Sequence, residues 1–130
     1  MAWYRGNKGS GAMTETVLWT NQSPTSAFAA QNVTLSESID DYNAIRIYWR
    51  LSTSDSTTAY IDVPKESLKT LSYASGHACI ALNAYVSTLI WLRIMSYVDD
   101  TKINFSTSYR VNNTGSNTSY AIPTKICGLK

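Results

Sequence analysis

Charged residues are scarce in this sequence. Asp, Glu, Lys and Arg make up 15% of the 130 residues, whereas about a quarter is typical of globular domains. The eleven Lys and Arg residues are scattered singly, and the formal net charge is only +2. Because binding to a phosphate backbone requires a basic patch or stripe, this composition disfavours nucleic acid as a partner. Ser, Thr and Asn fill the gap, as is common in extracellular and viral β proteins.

Groups that serve catalysis or metal binding are also few. His77 is the only histidine, and a zinc site built from His77, Cys79 and Cys127 lacks a fourth ligand and the usual spacing. The sequence contains no G-x-S-x-G elbow and no phosphate-binding glycine signature. The pairs Asp40-Asp41 and Asp99-Asp100 follow predicted strands, where Asp favours turns. We therefore predict a non-enzyme without metal or cofactor, with a β-sandwich glycosidase or esterase as the enzymatic alternative.

Cysteines and long apolar runs are equally sparse. Cys79 and Cys127 allow one disulfide at most, and the sequence leaves their pairing open. The apolar surroundings of Cys79 favour a buried free thiol. No apolar segment of the secretory type follows Met1, and the longest apolar run is interrupted by Arg93 and is too short to span a bilayer. We expect no signal peptide, no membrane insertion and synthesis in the cytosol.

Period-two alternation is what the sequence has in abundance. It is clearest in residues 44–51, where Ile45, Ile47 and Trp49 are predicted to face the core. The outward positions of the same strand carry Arg46, Tyr48 and Arg50.

Residues 86–98 (VSTLIWLRIMSYV) are predicted to form one long strand with a bend or bulge. The even positions are assigned to the core: Val86, Thr88, Ile90, Leu92, Ile94 and Val98. The odd positions are assigned to a face covered by a loop, a ligand or another chain: Leu89, Trp91, Arg93, Met95 and Tyr97. A helix is the competing interpretation, because Leu89, Leu92 and Met95 follow an i, i+3 series.

Turn signals divide residues 14–130 into seven or eight short strands without a sustained helix. This pattern predicts an all-β fold, an antiparallel β-sandwich that is jelly-roll-like, although it does not determine the strand order. The predicted core comprises Ile45, Ile47, Trp49, Ile90, Leu92, Ile94, Ile103 and Phe105. Residues 1–13 are predicted to form a flexible Gly-rich arm with Trp3 and Tyr4 near its tip, which either docks on a neighbour or remains a disordered terminus.

Aromatic residues are the chemistry that the sequence does offer, with nine Tyr and four Trp. Tyr and Trp present a flat face and one polar atom, which suits sugar rings and protein interfaces. The candidate surface or interface residues are Trp3, Tyr4, Arg46, Tyr48, Arg50, Trp91, Arg93 and Tyr97. Because the odd face of residues 86–98 is too apolar to be left in water, we expect a symmetric homo-oligomer.

Two segments resemble a known family: LWTNQSPTSAFAAQNVTL (residues 18–35) and IPTKICGLK (residues 122–130). They are similar to small tail-associated proteins, of minor tail or receptor-binding type, that are encoded by phages and prophages of Gram-positive, Clostridia-like bacteria. The resemblance covers residues 17–130, and the Gly-rich N-terminal arm is also similar to that of these tail-associated proteins. Cys127 departs from the pattern, because it stands where an aromatic residue such as Tyr is expected.

The resemblance implies a structural component of the virion tail that is made in the host cytoplasm and contacts other tail proteins. Recognition of a host-surface glycan and a trimeric assembly are further expectations of this resemblance. It supplies no catalytic residues. The alternative from another class is a monomeric carbohydrate-binding module of the bacterium itself, and neighbouring tail, holin and lysin genes would favour the phage interpretation.

Overall fold

Two antiparallel sheets face each other in the computed structural model, which describes residues 13–71, 80–111 and 115–130. Nine strands run through these residues: β1 (Glu15–Thr20), β2 (Gln31–Thr34), β3 (Ala44–Ser52), β4 (Thr58–Pro64), β5 (Ile80–Val86), β6 (Leu89–Asp99), β7 (Lys102–Arg110), β8 (Ser116–Asn117) and β9 (Tyr120–Leu129). A 3₁₀ turn, Ile39–Asp41, precedes β3, and a four-residue helix, α1 (Lys65–Leu68), follows β4. The predicted all-β sandwich is confirmed.

The strand order, which the sequence left undetermined, is β1-β9-β3-β4 in the first sheet and β2-β7-β6-β5 in the second. β8 pairs with β7 on the same side as β2. The outer pairs are nested, since β1 pairs with β9 and β2 pairs with β7. This nesting gives the sandwich its jelly-roll-like character. The inner hairpins, β3–β4 and β5–β6, each stay within one sheet.

The core between the sheets contains five of the eight side chains predicted there. Ile45, Ile47, Trp49, Ile103 and Phe105 are all 7% exposed or less. The other three were assigned wrongly, because Ile90 is 45% exposed and Leu92 and Ile94 are only half-buried. These three lie on the outer face of the second sheet.

The error arises in residues 86–98, which form a hairpin corner and one strand rather than a single strand or a helix. Ser87 and Thr88 have φ values of 54° and 64°, and Val86 pairs with Leu89 across them. Two successive positive φ values are typical of the type I′ turn that joins tightly paired strands. The strand that follows then buries three of its odd positions, Trp91, Arg93 and Met95, at 7%, 0% and 0% exposure. The predicted face assignment is therefore inverted.

Bulges reassign faces in two other strands. In β1 a register shift between Val17 and Trp19 leaves Val17 51% exposed and buries Leu18, whereas Trp19 packs against the core. Regular alternation would have placed Val17 and Trp19 on the same face. In β7 residues 106 and 107 stand opposite Ile94 alone, since Arg93 pairs with Ser108 and Met95 pairs with Phe105. Each extra residue reverses the inside–outside pattern beyond it. This is why Tyr109 is 40% exposed, although regular alternation would have placed it on the same face as Phe105.

Trp49 joins the two sheets through both packing and a hydrogen bond. Its side chain is 7% exposed, and its Nε1–H donates to the Asn83 carbonyl oxygen of β5 at 2.9 Å. Trp49→Ala should therefore lower the free energy of unfolding by about 3–5 kcal/mol, a large share of the stability of such a domain. Trp49→Phe keeps a ring in place and should cost clearly less. Urea denaturation measures both, and equal losses would contradict the assigned packing role.

Candidate functional site

Arg93, a predicted surface candidate, lies in the core at 0% exposure. Its five N–H groups donate to five backbone carbonyl oxygens at distances of 2.6–3.3 Å. The acceptors belong to Phe28, Ser106, Thr118, Tyr120 and Ala121. A guanidinium has five donors, so its hydrogen-bonding capacity is used completely.

The charge of Arg93 is held without an ion pair to any carboxylate of the described residues. Burial lowers the pKa of Arg93 to about 10, which still leaves the guanidinium protonated at neutral pH. The negative ends of five carbonyl dipoles surround the cation and oppose that effect of burial. The guanidinium carbon also lies 5.2 Å from the centre of the Phe28 ring. A buried cation of this kind is stable only while all its acceptors stay in place.

Three irregular backbone segments supply those acceptors. One is the connection before β2, which contains Phe28; one is the β7 bulge at Ser106; and one is residues 118–121. Ala121 has a φ of 48°, in the left-handed region that residues with a Cβ rarely adopt. The first and third segments also bond directly, since the Phe28 N–H donates to the Thr118 carbonyl at 2.8 Å. Arg93 thereby sets the positions of these three segments relative to one another.

A groove of about 470 Å³ opens on the outer face of the second sheet, where the β7 bulge separates β2 from β8. β2 pairs with residues 102–105 of β7, and β8 pairs with residues 108 and 109, so neither strand covers residues 106 and 107. All nine lining residues are uncharged. The lining residues that a ligand in the groove would meet include Gln31, Asn32, Ile94, Asn104, Thr107 and Tyr109.

The groove offers free amide groups beside an aromatic ring. Asn104 donates from Nδ2 to Asn32 Oδ1 at 2.8 Å, which leaves the Asn32 nitrogen and the Asn104 oxygen without a partner in the described part of the chain. Gln31 donates to the Ala29 carbonyl at 3.0 Å and keeps its own side-chain oxygen available. The Tyr109 side chain is 40% exposed. A donor and an acceptor side by side match neighbouring hydroxyl groups of a neutral ligand.

Two predicted residues, Arg46 and Tyr48, meet on the outer face of the first sheet. Arg46 binds Asp62 through Nε and Nη2 at 2.6 and 2.8 Å and lies 3.6 Å from Glu15. Its guanidinium carbon stands 4.4 Å from the Tyr60 ring centre. The hydrogen bonds to Asp62 raise the pKa of Arg46 above its already high ordinary value.

Tyr48 also finds its partners on this outer face. Its hydroxyl donates to the Glu15 carboxylate, which holds the pKa of Glu15 below its ordinary value. Lys125 Nζ stands 4.6 Å from the Tyr48 ring centre, and the Tyr48 and Tyr60 rings are 5.6 Å apart. These cross-strand contacts stabilise the sheet and occupy the charged groups of the network. The Tyr60 side chain itself is 56% exposed.

The remaining predicted candidates do not gather into a site. Arg50 donates to the carbonyls of Ser52 and Thr53 at 3.2 and 3.4 Å. Trp91 stacks on Tyr120 of its own chain at 4.1 Å and 10°, so its assignment to a surface or subunit seam was wrong. The half-buried Tyr97 packs against the core, and its hydroxyl donates to Asp100. Trp3 and Tyr4 lie outside the described residues.

The described residues contain no group of three or more His, Cys, Asp and Glu side chains that could hold a metal ion. Across the same ranges, no helix is long and apolar enough to cross a membrane. No family model and no curated protein matches this chain. The fold therefore defines the class: an antiparallel β-sandwich with an uncharged groove on its second sheet.

Cys127 is a free thiol at 0% exposure, in the β9 segment between Val17 of β1 and Arg46 of β3. Burial and the nearby Glu15 raise the pKa of Cys127 to about 11.

Because the folded state holds this proton more tightly than the unfolded state, the free energy of unfolding should fall as pH rises from about 9 to about 11. Cys79 lies outside the described residues.

Thiol labelling checks the burial of Cys127. In a Cys79→Ser chain at pH 8, Cys127 should react with a disulfide reagent at least about a hundredfold more slowly in the native state than in urea. The Cys127→Ser chain, which reports Cys79 alone, is the control. Native labelling at the rate of an exposed thiol would contradict this placement.

Substitution of Arg93 checks the role of its five hydrogen bonds. Arg93→Met removes the guanidinium donor from five inward carbonyls, of which that of Thr118 keeps the Phe28 N–H, and should lower the free energy of unfolding by about 3–5 kcal/mol. Arg93→Lys retains the charge with three donors and should fall between this variant and the parent. Arg50→Met removes two loop contacts and serves as the matched control. If Arg93→Met cost no more than Arg50→Met, the structural role of Arg93 would be refuted.

Proposed function

We propose that this protein is a non-enzymatic, tail-associated structural protein of a phage or prophage virion that binds a neutral glycan on the host surface. The tail assignment is supported by the resemblance of residues 18–35 and 122–130 to such proteins. The glycan assignment is supported by the groove, and this is the observation that carries it. In this proposal the protein is made in the host cytoplasm and contacts other tail proteins in the virion.

The lining of the groove supports a neutral sugar as the ligand. Its nine residues are uncharged, so an acidic or basic group would gain no ionic partner from them. The free Asn32 donor and Asn104 acceptor suit adjacent hydroxyls, while Tyr109 provides an exposed ring for the apolar side of a sugar. Ile94 adds a half-buried apolar wall.

The acidic residues support binding without catalysis in this proposal. Asp99 Oδ1 accepts from the Thr101 N–H at 2.8 Å, which is a turn-forming contact. Asp100 accepts from Tyr97 and lies 3.5 Å from Lys69. Asp40 binds Lys69, and the Asp40 N–H donates to Ser38 Oγ at 3.1 Å. Each of these carboxylates thus has a local role in a turn or ion pair.

A monomeric carbohydrate-binding module of the bacterium is the second candidate. It is favoured by the burial of Trp91 within its own chain, since that residue no longer calls for a subunit partner. Both candidate functions use the same groove. They differ in whether the protein belongs to a phage tail or to the bacterium. Neighbouring tail, holin and lysin genes would support the phage proposal.

Binding of neutral oligosaccharides tests the groove. On an array carrying glucose, galactose and N-acetylglucosamine oligomers, the parent protein should bind at least one neutral glycan in preference to sialylated or sulfated ones. Tyr109→Ala and Asn104→Ala should each weaken that binding about tenfold, since each removes a contact worth about 1.4 kcal/mol. Tyr60→Ala, an exposed tyrosine of the other sheet, is the matched control. Unchanged binding in Tyr109→Ala, or loss in Tyr60→Ala, would contradict the proposal.

A further inference from the structure

β5 is an edge strand of the second sheet, and no described strand pairs with its outer edge. The Asn83 carbonyl accepts from Trp49 of the other sheet, so the peptide groups of Asn83 point away from β6. Alternate residues of a strand share this direction, and Ala81 and Tyr85 therefore point the same way. Within the described ranges, no further backbone hydrogen bond reaches these three residues from that side.

β5 also lacks the features that usually protect an edge. Its sequence, IALNAYV, has no charge and no proline over seven residues. The other edges are protected: β4 carries Asp62 and ends at Pro64, while β1 has a bulge and receives a hydrogen bond from Ser36 to Leu18. β2 has only four residues. An unprotected edge of this length is a template for another strand.

We propose that β5 pairs antiparallel with β5 of a second copy, about a two-fold axis at Asn83. In this register Ala81 stands opposite the partner subunit's Tyr85, and the two Asn83 residues face each other. Three such pairs would form about six backbone hydrogen bonds. The Asn83 carbonyl can accept one of them because its second lone pair is not used by Trp49.

The chemistry of β5 favours a second copy as the occupant. An uncharged strand meets its own copy without like-charge repulsion. On the outer face the small Ala81 is matched with Tyr85, which is 64% exposed and has room to cover it. The two Asn83 amides can donate to each other across the axis. The pairing is isologous and closes as a dimer, whereas the trimer expected from the family resemblance needs a different contact.

This geometry has a consequence that rests on the proposed glycan binding, although the dimer itself does not. The two-fold axis of an antiparallel pair stands perpendicular to the sheet, so both outer faces lie on one side. With strands about 4.8 Å apart, the two grooves would be separated by about 30 Å. Such a dimer would present two binding sites to one surface and gain avidity.

Light scattering with charge-swapped variants tests the pairing. At micromolar concentration the parent chain should have twice the 14.4 kDa mass of one chain. Asn83→Lys and Asn83→Glu place like charges on the axis, and each should weaken dimerisation at least about tenfold. Mixing the two variants should restore a dimer that contains one chain of each kind. Thr58→Lys, an exposed position on β4, is the matched control and should remain dimeric.

A monomeric or trimeric parent chain would overturn the β5 pairing, and so would variants that dimerise like the parent. The test does not depend on the folding of any variant. If light scattering shows that the parent chain is not a dimer, the pairing is refuted by that mass alone. It is also independent of the glycan. A dimer that binds no oligosaccharide would refute the proposed function and keep the β5 inference, whereas a glycan-binding monomer would do the reverse.

Discussion

The buried guanidinium of Arg93 is the constraint on which the second sheet depends. A cation in a dry core needs an acceptor for every N–H, and here all five acceptors are backbone carbonyls. To supply them the backbone departs from regular strand geometry at the Ser106 bulge and takes a positive φ at Ala121. The same bulge separates β2 from β8 and opens the groove. A charge in the core thus determines the shape of the surface proposed to bind a ligand.

The contrast between β3 and β6 shows how much of the fold could be predicted. In β3 the polar residues Arg46 and Tyr48 alternate with Ile45 and Ile47, so one face is clearly apolar and the assignment is confirmed. In residues 86–98 both faces are largely apolar, and the even positions were assigned to the core, which placed Arg93 on the opposite face. The sequence could not reveal which groups accept the hydrogen bonds of Arg93, because every residue has a backbone carbonyl. The arrangement that buries Arg93 depends on contacts up to 65 residues away.

The candidate site was predictable only where it follows alternation within a strand. Arg46 and Tyr48 were placed together correctly, but their partners Glu15, Asp62 and Lys125 already occupy them. The groove was missed, because it forms where β2, β7 and β8 meet and no local pattern in the sequence marks that junction. Asn32 and Asn104 are 72 residues apart and become neighbours only through the pairing of β2 with β7. The two outer faces therefore differ in kind: the first sheet has a saturated ionic network, and the second has free amides and an edge that no described strand pairs with.

Nitrogen-15 NMR of the arginine side chains tests the central claim most directly. If five carbonyls hold the Arg93 guanidinium, rotation about its Cζ–Nη bonds is hindered and its protons are protected from water. The account predicts separately resolved Nη–H signals for Arg93 that exchange with solvent far more slowly than those of the half-buried Arg50. A single averaged Nη signal for Arg93, exchanging as fast as that of Arg50, would contradict it.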